Sequence, residues 1–509
     1  MPPPANGETR ISELLAGAAV LRLGRERAAE LSGALGERAA QLALVSEAAA
    51  ALPPPSAAAS APSPATAAPA PPSQPPAAAP APPGPASMAA WRECSRRADE
   101  LDGRLRAWAW RAPVPGSRAD QPAGGPPAGY PPAGGQPGAL DGYVIGVKDN
   151  IDAAGMPARA GSPLTSPDPV AADAPAVARL RAAGAAIAGK TQCTEWALND
   201  PAPTCNPWDP GRTPGGSSAG SAVAVATGMC TASVDTQTAG DVLRPAAYNG
   251  VAGFKPTGGW TTADGSQPVA PSIDTLGVTA RSVAAAAAVA AALAAEPARF
   301  TAGELPHGPR LGVLGAPFPG EAGRADRAGL GWTLRRLSDA GASLAEVACP
   351  VDLTLVHAAH RVITFAECAA EHVTGDRDDH HRYRPRAREL IDLGLLTPAP
   401  GYLQAQRVRA DATRRLAAML AAAPVLILPV TPGPAPDRAT TGDSRLQIPW
   451  TLCGFPALSL PAGLSPAGLP LAIQLVAGHQ QEATLLATAR WCERVLAVSL
   501  TPPAAQPGR

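Results

Sequence analysis

Two segments of the sequence carry side chains that could do chemistry. Lys148 stands in GVKDN, directly after an apolar run that would carry it into the interior. Ser217 and Ser218 stand in RTPGGSSAGSA, a run of small residues that leads into an Ala/Val-rich helix. N–H groups at a helix N-terminus favour a developing negative charge. The alternatives are a solvated lysine at a strand edge and a flexible Gly/Ser hinge.

A third segment, TQTAGDVLRPAAYNG at 236 to 250, places an acid among small, neutral residues. Its first residues, from Thr236 to Thr238, are typical of the end of a strand. Ala239 and Gly240 let the backbone approach another group closely. Asp241 follows at the bend, where a carboxylate needs a partner. The simpler interpretation of Asp241 is a polar turn residue or a helix N-cap.

The order of these segments resembles that of the amidase signature family of C–N bond hydrolases. The resemblance runs from about residue 90 to residue 500. The blocks that carry it are GVKDN, RLRAAGAAIAGKTQCTEWA at 179 to 197, NPWDPGRTPGGSSAGSA at 206 to 222, GVAGFKPT at 250 to 257, and the stretch from IPWTLCGFPALSLPAG to GLPLAIQLVAG at 448 to 478. It implies an amidase-type hydrolase that uses a lysine, a serine after a cis peptide bond and a nucleophilic serine.

By position, the resemblance implies that Lys148 is the base and that Ser217, after a cis Gly216–Ser217 bond, relays the proton. The nucleophile is expected 24 residues after the relay serine, and that position holds Asp241. The residues implied to hold the oxyanion or to line the site are Thr238, Ala239, Gly240, Ser218 and Gly216. The alignment cannot be shifted to restore a serine, because none lies between Ser233 and Ser266.

Aspartate at position 241 conflicts with the family's mechanism in two ways. It lacks the attacking hydroxyl, and it puts negative charge where the oxyanion should form. A carboxylate about 4 Å from the Lys148 nitrogen would also raise the lysine pKa by roughly three units at an effective dielectric near 20. We therefore expect Lys148 to stay protonated, so that it cannot act as a base.

These observations leave several functions open. The first is an altered or weakened amidase that acts on an amide or urea-type C–N bond of a small carbonyl compound, with Asp241 as general acid or base. Asp241 could also be a covalent nucleophile, although a carboxylate attacks an unactivated amide poorly. The alternative is a catalytically inactive homologue that binds a ligand or stabilises a complex, with Lys148 and Asp241 as a buried ion pair. Retention of Lys148, Ser217 and Ser218 favours an enzyme.

The elements that must position these residues alternate from Asp141 onward between short apolar runs and Ala-rich helical stretches. This alternation predicts an α/β fold with helices on both faces of the sheet, and the resemblance implies the mixed, twisted sheet of the amidase-signature fold. The predicted strands are Tyr143 to Val147, Ala185 to Ala188, Val425 to Leu428, Ala457 to Leu460 and Leu471 to Val476. The predicted helices are Ala176 to Ala183, Ser218 to Gly228, Ala325 to Ala340 and Glu482 to Val495.

We divide the chain into a helical segment at 1 to 50, a Pro/Ala-rich linker at 51 to 88, an amidase-signature domain at 89 to 500 and a tail at 501 to 509. The first segment predicts two short helices with a turn near Gly24, too small to bury their apolar faces alone. They resemble the small helical subunit that accompanies some family members. We expect them to dock on the main domain, tethered by the linker.

Composition narrows the class of partner. Lys plus Arg and Asp plus Glu both number 42, so the net charge is zero, and we expect no nucleic acid and no membrane as partner. No signal peptide is visible, so the expected location is cytoplasmic. The expected partner is a small-molecule amide or urea-like ligand, and a homodimer is possible.

Other polar clusters indicate no cofactor and no metal. The eight cysteines are scattered and are expected to be reduced. The acids and histidines from Asp378 to His381 have the residue types of a metal site, but adjacent positions point in different directions, which favours a solvated loop. His357 and His360 lie one helical turn apart and could line the pocket, although a place in the core or on the surface is the simpler interpretation.

Overall fold

The computed structural model describes residues 7–52, 85–114, 138–301, 303–315, 324–373 and 380–506. The strands are β1 Trp108–Arg111, β2 Val144–Lys148, β3 Ala186–Thr191, β4 Ala232–Gln237, β5 Ala252–Lys255, β6 Thr275–Ala280, β7 Arg310–Leu314, β8 Ser343–Val347, β9 Val425–Pro429, β10 Ala457–Leu464 and β11 Pro470–Ala477. The helices are α1 Gly7–Leu23, α2 Arg25–Glu30, α3 Ser32–Ala51, α4 Pro85–Leu105, α5 Pro175–Ala182, α6 Ala219–Thr227, α7 Leu243–Asn249, α8 Val283–Leu293, α9 Arg324–Asp339, α10 Leu353–His372, α11 Pro385–Leu395, α12 Ala399–Ala422, α13 Ile448–Leu452 and α14 Glu482–Leu496.

All of the described strands join one sheet of 11 strands in the order β1-β3-β2-β4-β6-β5-β10-β11-β9-β7-β8. Strand β2 pairs in parallel with β3 and β4, and β7 pairs in parallel with β8 and β9. The strands between β4 and β9 in this order pair antiparallel. The sheet is therefore mixed, and the predicted α/β fold class is confirmed.

Strand β9 shows why both faces of the sheet are covered. Its side chains alternate between two hydrophobic clusters, because successive residues of a strand point to opposite faces. Val425 and Ile427 pack in the cluster that contains α14, whereas Leu426 and Leu428 pack in the cluster that contains α10 and α12. All four are at most 1% exposed. A strand buried on both faces has a continuous apolar sequence, as this one does.

The predicted strands and helices occur in the structure with small shifts at their ends. The largest difference is at β10, which was expected to end at Leu460 and continues to Leu464. Strand β3, which was expected to end at Ala188, continues to Thr191. Its last residues pair with β1, where Lys190 is opposite Trp110, and with β2, where Thr191 is opposite Lys148. The pairing partners extend this strand, and they are distant in sequence.

The N-terminal segment forms three helices in place of the two predicted. The predicted turn is present at Gly24, which has a φ of 86°, a conformation that glycine adopts easily. A second break at Leu31 separates α2 from α3. Helix α3 packs against α10 and α12, and its apolar residues Leu35 and Leu42 share a hydrophobic cluster with Leu416 of α12.

Polar contacts also join this segment to the helices that cover the sheet. The Nε atom of Arg27 donates to Oδ2 of Asp392 at 2.7 Å, and the Asp392 side chain is only 1% exposed. Arg38 is buried, donates to the hydroxyl of Thr397 and lies over the ring of Phe365, with its Cζ atom 5.1 Å from the ring centroid. Helices α1 to α3 therefore bury both apolar and charged groups on the rest of the chain.

Parts of three predictions lie outside the described residues. These are the Pro/Ala-rich linker between 53 and 84, the acidic pair Asp378 and Asp379, and the end of the tail at 507 to 509. Across the ranges that the structure does describe, none of the helices combines the length and the apolar character needed to cross a lipid bilayer.

Candidate functional site

The site lies at the edge of the sheet where two parallel strands end. Lys148 is the last residue of β2, and Thr236 is near the end of the adjacent strand β4. Because β2 and β4 run in parallel, their carboxyl ends meet at the same edge, where open α/β sheets commonly bind ligands. Ser217 lies directly before α6, whose N-terminus approaches the same place.

The amine of Lys148 is fully buried and makes three hydrogen bonds. Nζ lies 2.7 Å from Oγ of Ser217, 2.9 Å from Oγ1 of Thr236 and 3.1 Å from the carbonyl oxygen of Thr236. The peptide bond between Gly216 and Ser217 is cis. The lysine and the serine expected to cooperate are therefore in direct contact.

Burial lowers the pKa of Lys148, and Asp241 together with more distant acids only partly offsets this effect. Asp241 raises the lysine pKa, as expected, but the net shift is downward because burial has the larger effect. The loss of hydration on burial outweighs the attraction of a carboxylate that is not in contact with the amine. A lysine with a lowered pKa can accept a proton from a hydroxyl group.

The Asp241 carboxylate is bound by backbone N–H groups. Its Oδ1 accepts from the N–H of Ser217 at 3.0 Å. Its Oδ2 accepts from the N–H of Thr238 at 3.0 Å and from the N–H of Ala239 at 2.8 Å. Two of the expected oxyanion donors thus point at a carboxylate of the protein itself.

Arg244, not Lys148, is the cationic partner of Asp241. Nη2 of Arg244 lies 3.7 Å from Oδ1 of Asp241, and no ion pair between Asp241 and Lys148 is found in the described part of the chain. The buried pair of Lys148 with Asp241, which the inactive alternative assumed, is therefore not formed among the described residues. The lysine amine is directed to two hydroxyl groups, while the N–H groups hold the carboxylate among themselves.

The ionised form of Asp241 is favoured by these contacts. Burial raises its pKa, but the guanidinium of Arg244, the amine of Lys148 and the N–H groups of Ala239 and Thr238 together bring the pKa below its usual range. Hydrogen bonds to a carboxylate and a nearby cation both stabilise the charged form. Position 241 therefore carries a fixed negative charge at neutral pH.

The remaining predicted site residues lie around this carboxylate. A Cβ atom on Gly240 would lie 2.4 Å from Oε1 of Gln447, and one on Gly216 would lie 2.8 Å from Cγ2 of Thr441. Glycine at both positions lets the segment that contains Thr441 and Gln447 cover the site. The N–H of Ser218 donates to the carbonyl oxygen of Asp241 at 3.3 Å, and its buried hydroxyl has no hydrogen-bond partner among the described residues.

Thr238 connects the site to Asp274, which the sequence did not indicate, and to His360, one of the two histidines that could line the pocket. Its hydroxyl donates to Oδ1 of Asp274 at 2.5 Å, and its carbonyl oxygen lies 3.0 Å from Nε2 of the buried His360. Burial raises the pKa of Asp274 to about 6 and lowers the pKa of His360 to about 4. Asp274 gave no signal in the sequence, because an isolated acid after an irregular segment has no motif.

Other polar clusters take no part in this site. His380 lies 3.0 Å from the carboxylate of Asp392, and His357 lies 2.9 Å from the carbonyl oxygen of Arg445. In the described ranges, no three histidine, cysteine, aspartate or glutamate side chains converge in a way that could hold a metal ion.

Comparisons with known proteins agree on one family. The family model described as Amidase matches residues 92–486 of this chain. Among curated proteins, a glutamyl-tRNA(Gln) amidotransferase subunit of Deinococcus radiodurans is 35% identical over 416 residues, which cover 72% of this chain and 86% of that protein.

Solved structures give the same result. A peptide amidase from Stenotrophomonas maltophilia superposes with a TM-score of 0.66 at 29% identity and covers 82% of this chain and 95% of its own. A structure described as an unexpected vestigial protein complex, revealing the evolutionary origins of an s-triazine catabolic enzyme, superposes with a TM-score of 0.70 at 28% identity, over 82% of this chain and 96% of that one.

Proposed function

Because this chain belongs to the amidase signature family, we propose that it binds a small amide or urea-type compound and acts on its C–N bond with weakened catalysis. One observation carries this proposal: the carboxylate of Asp241 accepts hydrogen bonds from the N–H groups of Ser217, Thr238 and Ala239. In the proposed assignment, Lys148 is the base, and Ser217 passes a proton to it. Asp241 fills the place of the nucleophile.

The weakening follows from the donors that Asp241 occupies. Acyl transfer needs hydrogen-bond donors aimed at the oxygen that becomes negative, and loss of a single donor reduces kcat by about 10² to 10³. Here the N–H groups of Thr238 and Ala239 are already bonded to a negative oxygen. A substrate carbonyl would have to displace that oxygen against the attraction of Arg244.

The same contacts limit what Asp241 can do itself. A carboxylate whose pKa is held below its usual range is a weak base and attacks an amide poorly. The contact between Lys148 and Ser217 supports the other part of the proposal, since a proton can pass from that hydroxyl to the amine across 2.7 Å. Proton transfer between Ser217 and Lys148 is therefore retained, so that the Ser217 hydroxyl or a water molecule is the attacking group in the weakened reaction. The nucleophile of the family and two of the three expected oxyanion donors are lost.

Substitution of Asp241 tests this function. A panel of small carboxamides and ureas is assayed with the native protein, Asp241→Ser and Asp241→Ala. We expect Asp241→Ser to exceed the native kcat/KM by at least about 10²-fold, since it frees donors and supplies a hydroxyl. Asp241→Ala frees the donors without supplying a nucleophile and should not reach that rate. A native turnover that falls in Asp241→Ser would show that the carboxylate is itself catalytic.

A second candidate function is that of a catalytically inactive homologue that stabilises a complex. It is favoured by the packing of helix α3 on α10 and α12, where residues 1–50 would act as a fused small subunit. The tRNA-dependent relative is by its name one subunit of a larger enzyme. A protease site placed in the linker at 51–88 tests this role, since the helical segment should stay bound to residues 89–500 after cleavage and elute with them. Separation of the two pieces would exclude it.

A further inference from the structure

Helix α1 has a second apolar face that the described residues leave open. Its inner face packs on α3 and buries Leu15 and Ala19. On the opposite side, Leu14 is 67% exposed and Leu21 is 90% exposed. A helix that is apolar on all sides is normally buried on all sides. The uncovered leucines therefore indicate that α1 contacts another surface.

The outer face of α1 consists of Leu14, Gly17, Val20 and Leu21, all of them exposed. Residues three and four positions apart lie on the same side of a helix, so these four form one continuous stripe. A Cβ atom added to Gly17 would meet no other atom within 4 Å. The space over Gly17, between the two leucines, can therefore accept a side chain of a second helix, and a small residue at the contact lets two helix axes approach closely.

The charges along α1 are complementary to those of an antiparallel copy of the same helix. Glu8 and Glu13 stand in its first half, and Arg22 stands in its last turn. Glu13 and Arg22 are both exposed. When two such helices run antiparallel, the acidic half of each lies against the basic end of the other, and their dipoles also attract. Arg10 is the cation of the first half, and Glu26 of the second copy would lie near it.

We infer that the outer face of α1 is the contact between two copies of this chain, with the two helices antiparallel about a two-fold axis. A two-fold interface uses the same patch on both subunits, so the patch must be self-complementary, as this face is in both shape and charge. A helix of this length presents a face only about 25 Å long. The buried area is therefore at the low end for specific interfaces, and the dimer forms in a concentration-dependent way. The inference is independent of the proposed function, because no residue of the candidate site takes part.

Sedimentation velocity of the full-length native protein tests the association. Over a range of about 1 to 200 μM, the sedimentation coefficient should rise from that of the monomer towards that of the dimer, with a dissociation constant in the micromolar range. A protein that stays monomeric at every concentration would overturn the inference and leave the face to a different partner. Association that passes directly to larger oligomers would also overturn it, because a two-fold contact closes at the dimer.

One pair of variants locates the contact. Leu21→Glu puts a charge on the outer face and should raise the dissociation constant about 10-fold or more. Leu403→Glu is the matched control, because Leu403 is also a largely exposed leucine, at 62%, but lies on α12. We expect it to change the dissociation constant less than about 2-fold. Circular dichroism checks that both variants are folded. An unchanged dimer in Leu21→Glu, or equal effects of the two substitutions, would contradict the proposed position.

A charge swap tests the antiparallel orientation. Glu13→Arg and Arg22→Glu each place like charges against each other and should weaken the dimer about 3-fold or more. The double variant carries both reversals and restores the opposite charges, so its dissociation constant should return to within about 2-fold of the native value. A double variant that is weaker than either single variant would contradict the antiparallel pairing.

Discussion

The guanidinium of Arg244 lies 3.7 Å from the carboxylate of Asp241 and also donates to the carbonyl oxygen of Gly216 at 2.6 Å. One side chain thus contacts both the acid and the cis peptide unit that precedes Ser217. Both charged groups are almost completely buried, with side-chain exposures of 4% and 12%. The acid at position 241 therefore has a charge partner three residues along the chain, in the first turn of α7.

Removing this partner should destabilise the fold. In Arg244→Met, the buried carboxylate loses its cation and the Gly216 carbonyl loses a donor, so we expect the free energy of unfolding to fall by about 3 to 5 kcal/mol. Urea denaturation measures it. The double variant Arg244→Met with Asp241→Asn should recover part of the loss, because the unpaired charge is gone. If the loss in the double variant equals the sum of the losses in Arg244→Met and Asp241→Asn, the two side chains are not coupled.

The lowered pKa of Lys148 predicts a pH profile for the active variant. In Asp241→Ser, kcat/KM should rise with pH as the amine loses its proton, and the midpoint should lie below the ordinary lysine pKa of 10.5. The substitution also removes an acid that raises the lysine pKa. A rate profile between pH 5 and about 10 measures the midpoint. A midpoint at or above the ordinary value would show that burial does not control the amine.

Arg27 should stabilise the packing of the N-terminal helices. In Arg27→Met, Asp392 loses its 2.7 Å contact but keeps His380 at 3.0 Å. We therefore expect the free energy of unfolding to fall by about 1 to 3 kcal/mol, less than for a buried charge that is left without any partner. Thermal melting and limited proteolysis measure it. Arg10→Met is the matched control, since Arg10 is exposed on α1. Equal effects of the two substitutions would contradict a specific role for Arg27.

Asp274 predicts a pH dependence of stability. Its pKa is raised to about 6 by burial, so between the unfolded value near 4 and 6 the folded chain binds more protons than the unfolded chain. This group alone therefore makes stability fall as pH rises from about 4 to 6. Asp274 is only partly buried by its surface exposure, so solvent limits the effect to roughly 1 to 2 kcal/mol. Asp274→Asn should remove this decrease in stability. An unchanged pH dependence of the free energy of unfolding, measured by urea denaturation, would contradict the prediction.

Local sequence patterns were sufficient for the fold class. Apolar runs such as Val425 to Leu428 mark strands that are buried on both faces, and the Ala/Val run after Ser218 marks a helix. The ends of the elements were less predictable, because pairing partners far away in sequence determine them. Strand β3 extends to Thr191 for this reason, and the break at Leu31 carries neither glycine nor proline.

The structure brings the candidate residues together, but the sequence did not show their contacts. The resemblance to the family selected Lys148, Ser217 and Asp241 as candidates, and Ser217 contacts both of the others. The sequence did not show which cation faces Asp241. The choice of partner depends on side-chain directions at the sheet edge, where hydroxyl groups bind the Lys148 amine and N–H groups bind the Asp241 carboxylate.

Because α3 packs on α10 and α12 of the same chain, the helical segment should stay bound when the protein is diluted. A separate small subunit leaves its partner when concentrations fall below the dissociation constant, whereas helices on the same chain remain at a fixed ratio of one to one. Contacts such as that of Arg27 with Asp392 therefore form with first-order kinetics. Their occupancy should be the same at nanomolar and at micromolar protein.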